Sequence, residues 1–136
     1  MSFSKRVDNL TKEYERRMRG VFRQSVQDTV NTAQTVRPDG GRMRFDTGFL
    51  KASGGASLNK MPSGPSVNPQ VPFSPSARLT GTSLTEALAR WKPGDLAFWG
   101  WTANYARPRE YKDGFMRGAA EKWKDTVNKN ARKAAR

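Results

Sequence analysis

The chain has 136 residues, including 25 Lys and Arg, 12 Asp and Glu, and neither His nor Cys. This length predicts a single domain, and the two absent residue types exclude disulfides, thiol nucleophiles, His-based acid–base catalysis and metal sites built from Cys and His. Only 35% of the residues are apolar, so we expect a small hydrophobic core and a subunit that completes its buried surface against partners.

The formal net charge of +13 predicts affinity for a polyanion, which could be nucleic acid, an acidic membrane surface or an acidic protein surface. The basic side chains are concentrated at the two ends, since residues 1–37 contain eight basic and four acidic groups and residues 112–136 contain eight and three. Residues 81–111 are nearly neutral, with four and three. No apolar run reaches the ~18–20 residues of a membrane span, and residues 1–6 lack an apolar signal segment. We therefore expect no membrane association and synthesis in a reducing cytoplasm.

Residues 4–36 are predicted to form one long helix, because apolar side chains recur at steps of three and four residues. Ser4 is the predicted N-cap, and Pro38, followed by Asp39-Gly40-Gly41, is predicted to end the helix. The apolar positions are Val7, Leu10, Tyr14, Met18, Val21, Phe22, Val26, Val30 and Ala33.

A short capped turn and a long arm are predicted next. Asp46 is expected to cap a helical turn that holds Phe49 and Leu50. Residues 54–82 are rich in Gly, Pro and Ser, and five of the eight prolines lie between 62 and 75. We expect 62–80 to be a loop or arm that lies on a neighbour in an oligomer and moves in an isolated monomer.

The rest of the chain is predicted to alternate helix and strand. Ser83 and Glu86 match a capping box that opens a short helix. Residues 96–102 form the best predicted strand, with two apolar faces that we expect to be covered, and a weaker strand is predicted at 54–60. Residues 104–111 are interpreted as a connecting segment, and Asp113 as the N-cap of a last helix over 113–135. The predicted fold is α+β, with a long N-terminal helix and a C-terminal helix packed on a small antiparallel sheet, plus the Pro-rich arm.

Little in the chain predicts catalysis. Carboxylates are the remaining acid–base candidates, but Glu13 and Glu15 point to different faces of their helix, and Glu110 lies between Arg107 and Arg109 as in an ion pair. The Gly-Gly pairs lack the Lys-Ser/Thr of a phosphate-binding loop. We therefore expect no enzyme activity and no cofactor or metal.

Nucleic-acid binding remains a possible function, for which the basic helices and an aromatic cluster are the relevant features. The basic terminal helices can neutralise phosphates. The aromatic cluster carries little positive charge among its members, which is more typical of a core or an interface than of a base-stacking surface. Its members are Phe98, Trp99, Trp101 and Tyr105.

Three segments carry a resemblance through their order and spacing. They are Arg44-Phe45-Asp46-Thr47-Gly48-Phe49-Leu50-Lys51-Ala52-Ser53, then Pro93-Gly94-Asp95-Leu96-Ala97-Phe98-Trp99-Gly100 leading into Asn104-Tyr105-Ala106-Arg107 and Glu110-Tyr111, then Gly114-Phe115-Met116-Arg117. Together they resemble the tail-completion, or neck, family of minor tail components from long-tailed bacteriophages. The resemblance covers about residues 40–136.

The resemblance implies a structural virion protein of the head–tail junction, of the tail-completion or tail-terminator type, that forms a ring around the DNA channel. Six-fold symmetry is expected. The implied partners are other copies of the chain, neighbouring stopper and adaptor proteins of the neck, the tail tube or terminator, and DNA in the channel. The protein would be found in the virion, and in the host cytoplasm during assembly.

The resemblance also implies roles for particular residues. Asp46, Thr47 and Gly48 would form a structural turn. Core or inter-subunit contacts would come from Trp99, Trp101, Tyr105, Tyr111 and Phe115, and inter-subunit ion pairs from Arg107, Arg109 and Glu110. Contacts with DNA or an acidic ring would come from Lys122, Lys124, Lys129, Arg132, Lys133 and Arg136. Two alternatives remain: a small basic nucleic-acid-binding protein acting in solution, and a minor capsid or decoration protein.

Overall fold

A computed structural model describes residues 2–69 and 72–135 and confirms the α+β class. A long N-terminal helix, a two-stranded antiparallel sheet and a C-terminal helix make up the frame. The helices are α1 (Phe3–Gln34), α2 (Phe49–Ala52), α3 (Leu84–Arg90), α4 (Ala106–Asp113), α5 (Phe115–Ala120) and α6 (Trp123–Ala134), and the strands are β1 (Gly54–Leu58) and β2 (Ala97–Trp101).

Helix α1 begins earlier and ends earlier than predicted. Ser2, rather than Ser4, is the N-cap, and its hydroxyl accepts the backbone N–H of Lys5 at 3.2 Å. The helix ends at Gln34 because Val36 leaves it to form a β-bridge with Met43. A 3₁₀ turn over Arg37–Asp39 follows, with proline in its first turn. The 32 residues of α1 span about 48 Å at 1.5 Å per residue, and its buried side chains are confined to residues 25–33.

The sheet forms where both strands were predicted. Gly54 pairs with Trp101 and Leu58 with Ala97 in an antiparallel register. Gly54 is required by packing, since a Cβ there would lie 2.8 Å from the Trp99 ring. Strand β2 is shorter than the predicted 96–102 by one residue at each end, and Leu96, which precedes it, is exposed.

The Pro-rich segment, residues 62–80, forms several contacts with its own chain. Phe73 is buried in the core, and its backbone N–H donates to the Thr47 carbonyl at 2.7 Å. The Thr102 hydroxyl donates to the Pro65 carbonyl at 2.7 Å, and the Leu79 N–H donates to the Ala52 carbonyl at 2.8 Å. Backbone hydrogen bonds and one buried aromatic ring therefore hold a segment that composition alone assigns to open chain.

The predicted last helix is two helices, α5 and α6, and a further helix precedes them. Residues 106–113, interpreted as a connection, form α4, and Gly114 separates α4 from α5 with a positive φ of 66° that glycine adopts at low cost. Asp113 is the last residue of α4, so it does not cap the helix that follows. Helix α6 then packs against α1.

Two apolar clusters form the core. The first joins α2, β2 and α5 to the Pro-rich segment, and the second joins the second half of α1 to α3 and β1. The buried members of the first are Val36, Met43, Phe49, Leu50, Ala52, Phe73, Ala103 and Phe115. Those of the second are Val30, Ala56, Leu84, Ala87 and Leu88.

Candidate assembly site

The three segments that carry the resemblance meet in the first core cluster. Phe49, Ala103 and Phe115, one near or within each segment, are all buried there. The ring centroids of Phe49 and Tyr105 lie 6.1 Å apart, and the Phe115 ring meets Trp101 edge to face at 5.0 Å. Residues from distant parts of the chain, such as Phe49 and Phe115, are therefore packed together, and these two aromatic side chains belong to the core.

Tyr105 links two of these segments directly. Its side chain is partly buried and hydrogen-bonds with the Thr47 side chain and the Leu50 backbone. Burial raises the pKa of Tyr105 above its ordinary value, although these hydrogen bonds oppose the shift. The phenol thus stays neutral and fixes the turn before α2 against the start of α4.

The turn at 46–48 is structural, but its capping residue differs from the prediction. The Thr47 hydroxyl, rather than Asp46, accepts the backbone N–H of Phe49 at 3.2 Å. Gly48 has a φ of +85°, and a Cβ there would lie 2.9 Å from the Phe45 ring and from the Phe73 carbonyl oxygen. Asp46 is exposed at the rim of a cleft of about 820 Å³ that Thr47 and Tyr105 also line.

Both tryptophans of β2 are half-buried within the chain. The Trp101 indole N–H donates to the side-chain carbonyl of Gln34, which ties the strand to the end of α1. Trp99 packs against the second core cluster, and its ring meets that of Trp101 edge to face at 6.2 Å. They were predicted as core or inter-subunit residues, and both have core contacts.

Three charged residues of α4, Arg109, Glu110 and Asp113, have partners within the chain. Both oxygens of Glu110 accept backbone N–H groups at the start of α5, from Met116 at 2.7 Å and Arg117 at 2.9 Å. Within the chain, the Glu110 carboxylate therefore caps α5.

Asp113, at the end of α4, forms ion pairs with two arginines. Its side chain is 4% exposed and lies 2.9 Å from Arg37 and 3.8 Å from Arg109. Arg109 is therefore also engaged within the chain, whereas Arg107 and Tyr111 are exposed.

The basic residues predicted near the C-terminus lie on the outside of α6. Lys122, Lys124, Lys129, Arg132 and Lys133 are all exposed, and Arg136 lies outside the described residues. No acidic residue follows Asp125, so the charged side chains in the second half of α6 are all basic. Among the described residues, no group of three acidic side chains is placed to hold a metal ion, and no described helix is both long enough and apolar enough to cross a membrane.

Sequence analysis missed an apolar stripe on the first half of α1. The apolar periodicity does not indicate which positions of this helix are covered, and Phe3, Leu10 and Tyr14 are exposed. Helix length is the signal that could have revealed this, because a helix of about 48 Å outreaches the core that a chain of this size can form.

Comparisons with known proteins identify no relative: no family model, no curated protein and no solved structure matches this chain.

Proposed function

We propose that this protein is a structural subunit of the bacteriophage head–tail junction, of the tail-completion or neck type. In this proposal six copies form a ring around the DNA channel and join the tail to the head. The subunit has no catalytic role. It acts in the virion after assembly in the host cytoplasm.

The observation that carries the proposal is the meeting of the three motif segments. A resemblance in fold to the neck family predicts that these segments pack together. Thr47, Phe49, Tyr105 and Phe115 all belong to or border one core cluster. Motifs that build a shared core are expected when a fold, rather than an active site, is what the resemblance reports.

The charge distribution also supports the proposal. The exposed cations of α6 form a surface suited to a polyanion. In a neck ring, this surface would face either the DNA in the channel or an acidic surface of the stopper, adaptor or tail terminator ring.

The direct test is the protein content of purified virions. Quantitative mass spectrometry of gradient-purified particles is expected to find the chain at about six copies per particle, as a single six-fold ring requires. Complete virions that lack the chain would refute the proposal.

A solution role in binding nucleic acid is the second candidate, and the exposed cations of α6 favour it. Titration of the isolated chain with duplex DNA over a series of salt concentrations distinguishes the two. Tight binding by the monomer with a steep salt dependence supports the second candidate. Weak binding that appears only with assembled rings supports the neck role.

A further inference from the structure

The first half of α1 presents an apolar stripe that no other part of the described chain covers. Phe3 is 81% exposed, Val7 42%, Leu10 71% and Tyr14 65%. Their spacing of three or four residues puts them on one helix face, and residues 2–12 are all exposed. With aromatic side chains of about 150–250 Å² each, the stripe offers on the order of 400–500 Å² of apolar surface, a size that marks interaction sites.

An apolar groove lies where α1 meets α6. Its volume is about 520 Å³. One wall is formed by α1, from Tyr14 and Arg17 through Met18 to Phe22, and the other by Trp123, Val127 and Ala131 of α6. The small side chain of Ala131 leaves space beside the large ones, so the groove can accept apolar side chains from another helix.

The stripe cannot fill the groove of its own chain. Both belong to the same continuous helix, and Phe3 lies about 27 Å from Val21 along it at 1.5 Å per residue. A straight helix does not fold back on itself, so another molecule must supply any helix that enters the groove.

Charges beside the two surfaces are complementary in an antiparallel arrangement. Asp8 and Glu15 each follow a stripe residue by one position, so they lie along one edge of the stripe. Lys124 and Arg132 likewise follow groove residues by one position along α6. Two helices that face each other in antiparallel orientation bring these corresponding edges together, which places the two acidic side chains opposite the two basic ones.

We propose that the stripe of one copy docks in the groove of a second copy, antiparallel to its α6. The inference rests on the proposed function in taking another copy as the occupant, and it names the contact that builds the ring. The stripe meets the groove at Tyr14, but Phe3, Val7 and Leu10 lie outside the groove. The contact therefore joins two different surfaces and is head-to-tail, the type that can close into a ring.

A mixing experiment with two exposed-site variants tests this contact. Leu10→Lys disables the stripe and keeps the groove, whereas Ala131→Trp fills the groove and keeps the stripe. Val67→Lys, at a site that is 66% exposed and outside both surfaces, is the matched control. Each full-length variant is followed by sedimentation velocity over a range of concentrations, with circular dichroism to confirm unchanged helix content.

The wild type and Val67→Lys are expected to assemble at the same concentration. Each of the other two variants alone should need at least about a tenfold higher concentration, since each loses the burial of an apolar contact. An equimolar mixture of Leu10→Lys and Ala131→Trp should form a heterodimer that grows no further, because only one intact stripe and one intact groove remain to pair.

Three results would overturn the contact: a wild type that stays monomeric, variants that assemble like the wild type, or a mixture that stays monomeric. A wild type that assembles and ignores both substitutions refutes this contact while the proposed function stands. Virions that lack the chain refute the proposed function and leave the sedimentation result unchanged.

Discussion

The indole of Trp101 donates a hydrogen bond to the side chain of Gln34, sixty-seven residues earlier in the chain. The Gln34 amide in turn donates to the Lys51 carbonyl at 3.1 Å. The end of α1, the helix α2 and the strand β2 are thereby joined at one point, beside the edge-to-face contact of Trp101 with Phe115.

We therefore expect Trp101→Ala to destabilise the fold strongly. Trp truncations in cores cost about 3–5 kcal/mol, and because Trp101 is only half-buried the expected loss in the free energy of unfolding is about 3 kcal/mol. Trp101→Phe keeps a ring against Phe115 and loses the N–H donor, so a smaller loss of about 1 kcal/mol is expected. Urea denaturation followed by fluorescence measures both, and equal losses for the two variants would contradict this account.

Glu110 is expected to stabilise the protein by capping α5. Glu110→Ala leaves two backbone N–H groups without their acceptor and should lower the free energy of unfolding by about 1–2 kcal/mol. Glu110→Gln keeps one carbonyl acceptor, so it should lower the free energy of unfolding by less than Glu110→Ala. The matched control is Glu121→Ala, an exposed site at the end of the same helix, where a change within about 0.5 kcal/mol is expected. A loss at Glu121 equal to that at Glu110 would refute the capping role.

The capping role of Glu110 could not be predicted from the local sequence. Glu110 and Asp113 are both acidic and both precede α5, so local preferences favour the nearer Asp113 as a cap. The structure selects Glu110 because Arg37, 76 residues away in sequence, takes the Asp113 carboxylate, and because Gly114 turns the chain so that Glu110 reaches the free N–H groups. Only the tertiary fold brings Arg37 there.

Local sequence patterns were sufficient to predict one helix cap and both strands. The Ser83 cap is confirmed, with its hydroxyl accepting the Glu86 N–H at 3.1 Å, and both strands were predicted from their composition. On α1, however, the periodicity of residues 3–18 is the same as that of residues 21–33, although only the second half is buried. Periodicity identifies an apolar face, and what covers that face depends on where the other elements pack.

A hydrogen bond between α1 and α6 makes stability depend on pH. The Asn130 amide donates to Asp28 at 3.0 Å, and this contact holds the pKa of Asp28 below its ordinary value of 3.8. Because the folded state favours the ionised carboxylate, the contribution of Asp28 is complete above the unfolded pKa and is lost as the pH falls through the folded one.

The expected result is a pH-dependent difference between the wild type and Asp28→Asn. Their free energies of unfolding should differ most near neutral pH and converge below about pH 4. Urea denaturation of both proteins at several pH values makes the measurement. A difference that stays constant from neutral to acid pH would show that ionised Asp28 has no favoured partner in the folded state.

Alanine substitutions at Gly48 and Gly40 distinguish the cost of a steric clash from the cost of backbone strain. Both have positive φ, +85° and +92°, but a Cβ at Gly40 meets nothing within 4 Å, whereas one at Gly48 would lie 2.9 Å from the Phe45 ring. Gly40→Ala should therefore cost about 1 kcal/mol from backbone strain alone. Gly48→Ala should cost at least about 1 kcal/mol more, because the core must also shift. Thermal denaturation measures the loss of stability in both variants. Equal losses would contradict the expectation that a Cβ at Gly48 clashes with the core near Phe45.

The central claim is that this protein joins phage tails to heads, and electron microscopy of a lysate from a phage that lacks it tests that claim most directly. The account predicts filled heads and complete tails that remain separate, with joined particles restored when the protein is supplied from a plasmid. A lysate in which heads and tails are joined as often as in the wild type would contradict the account.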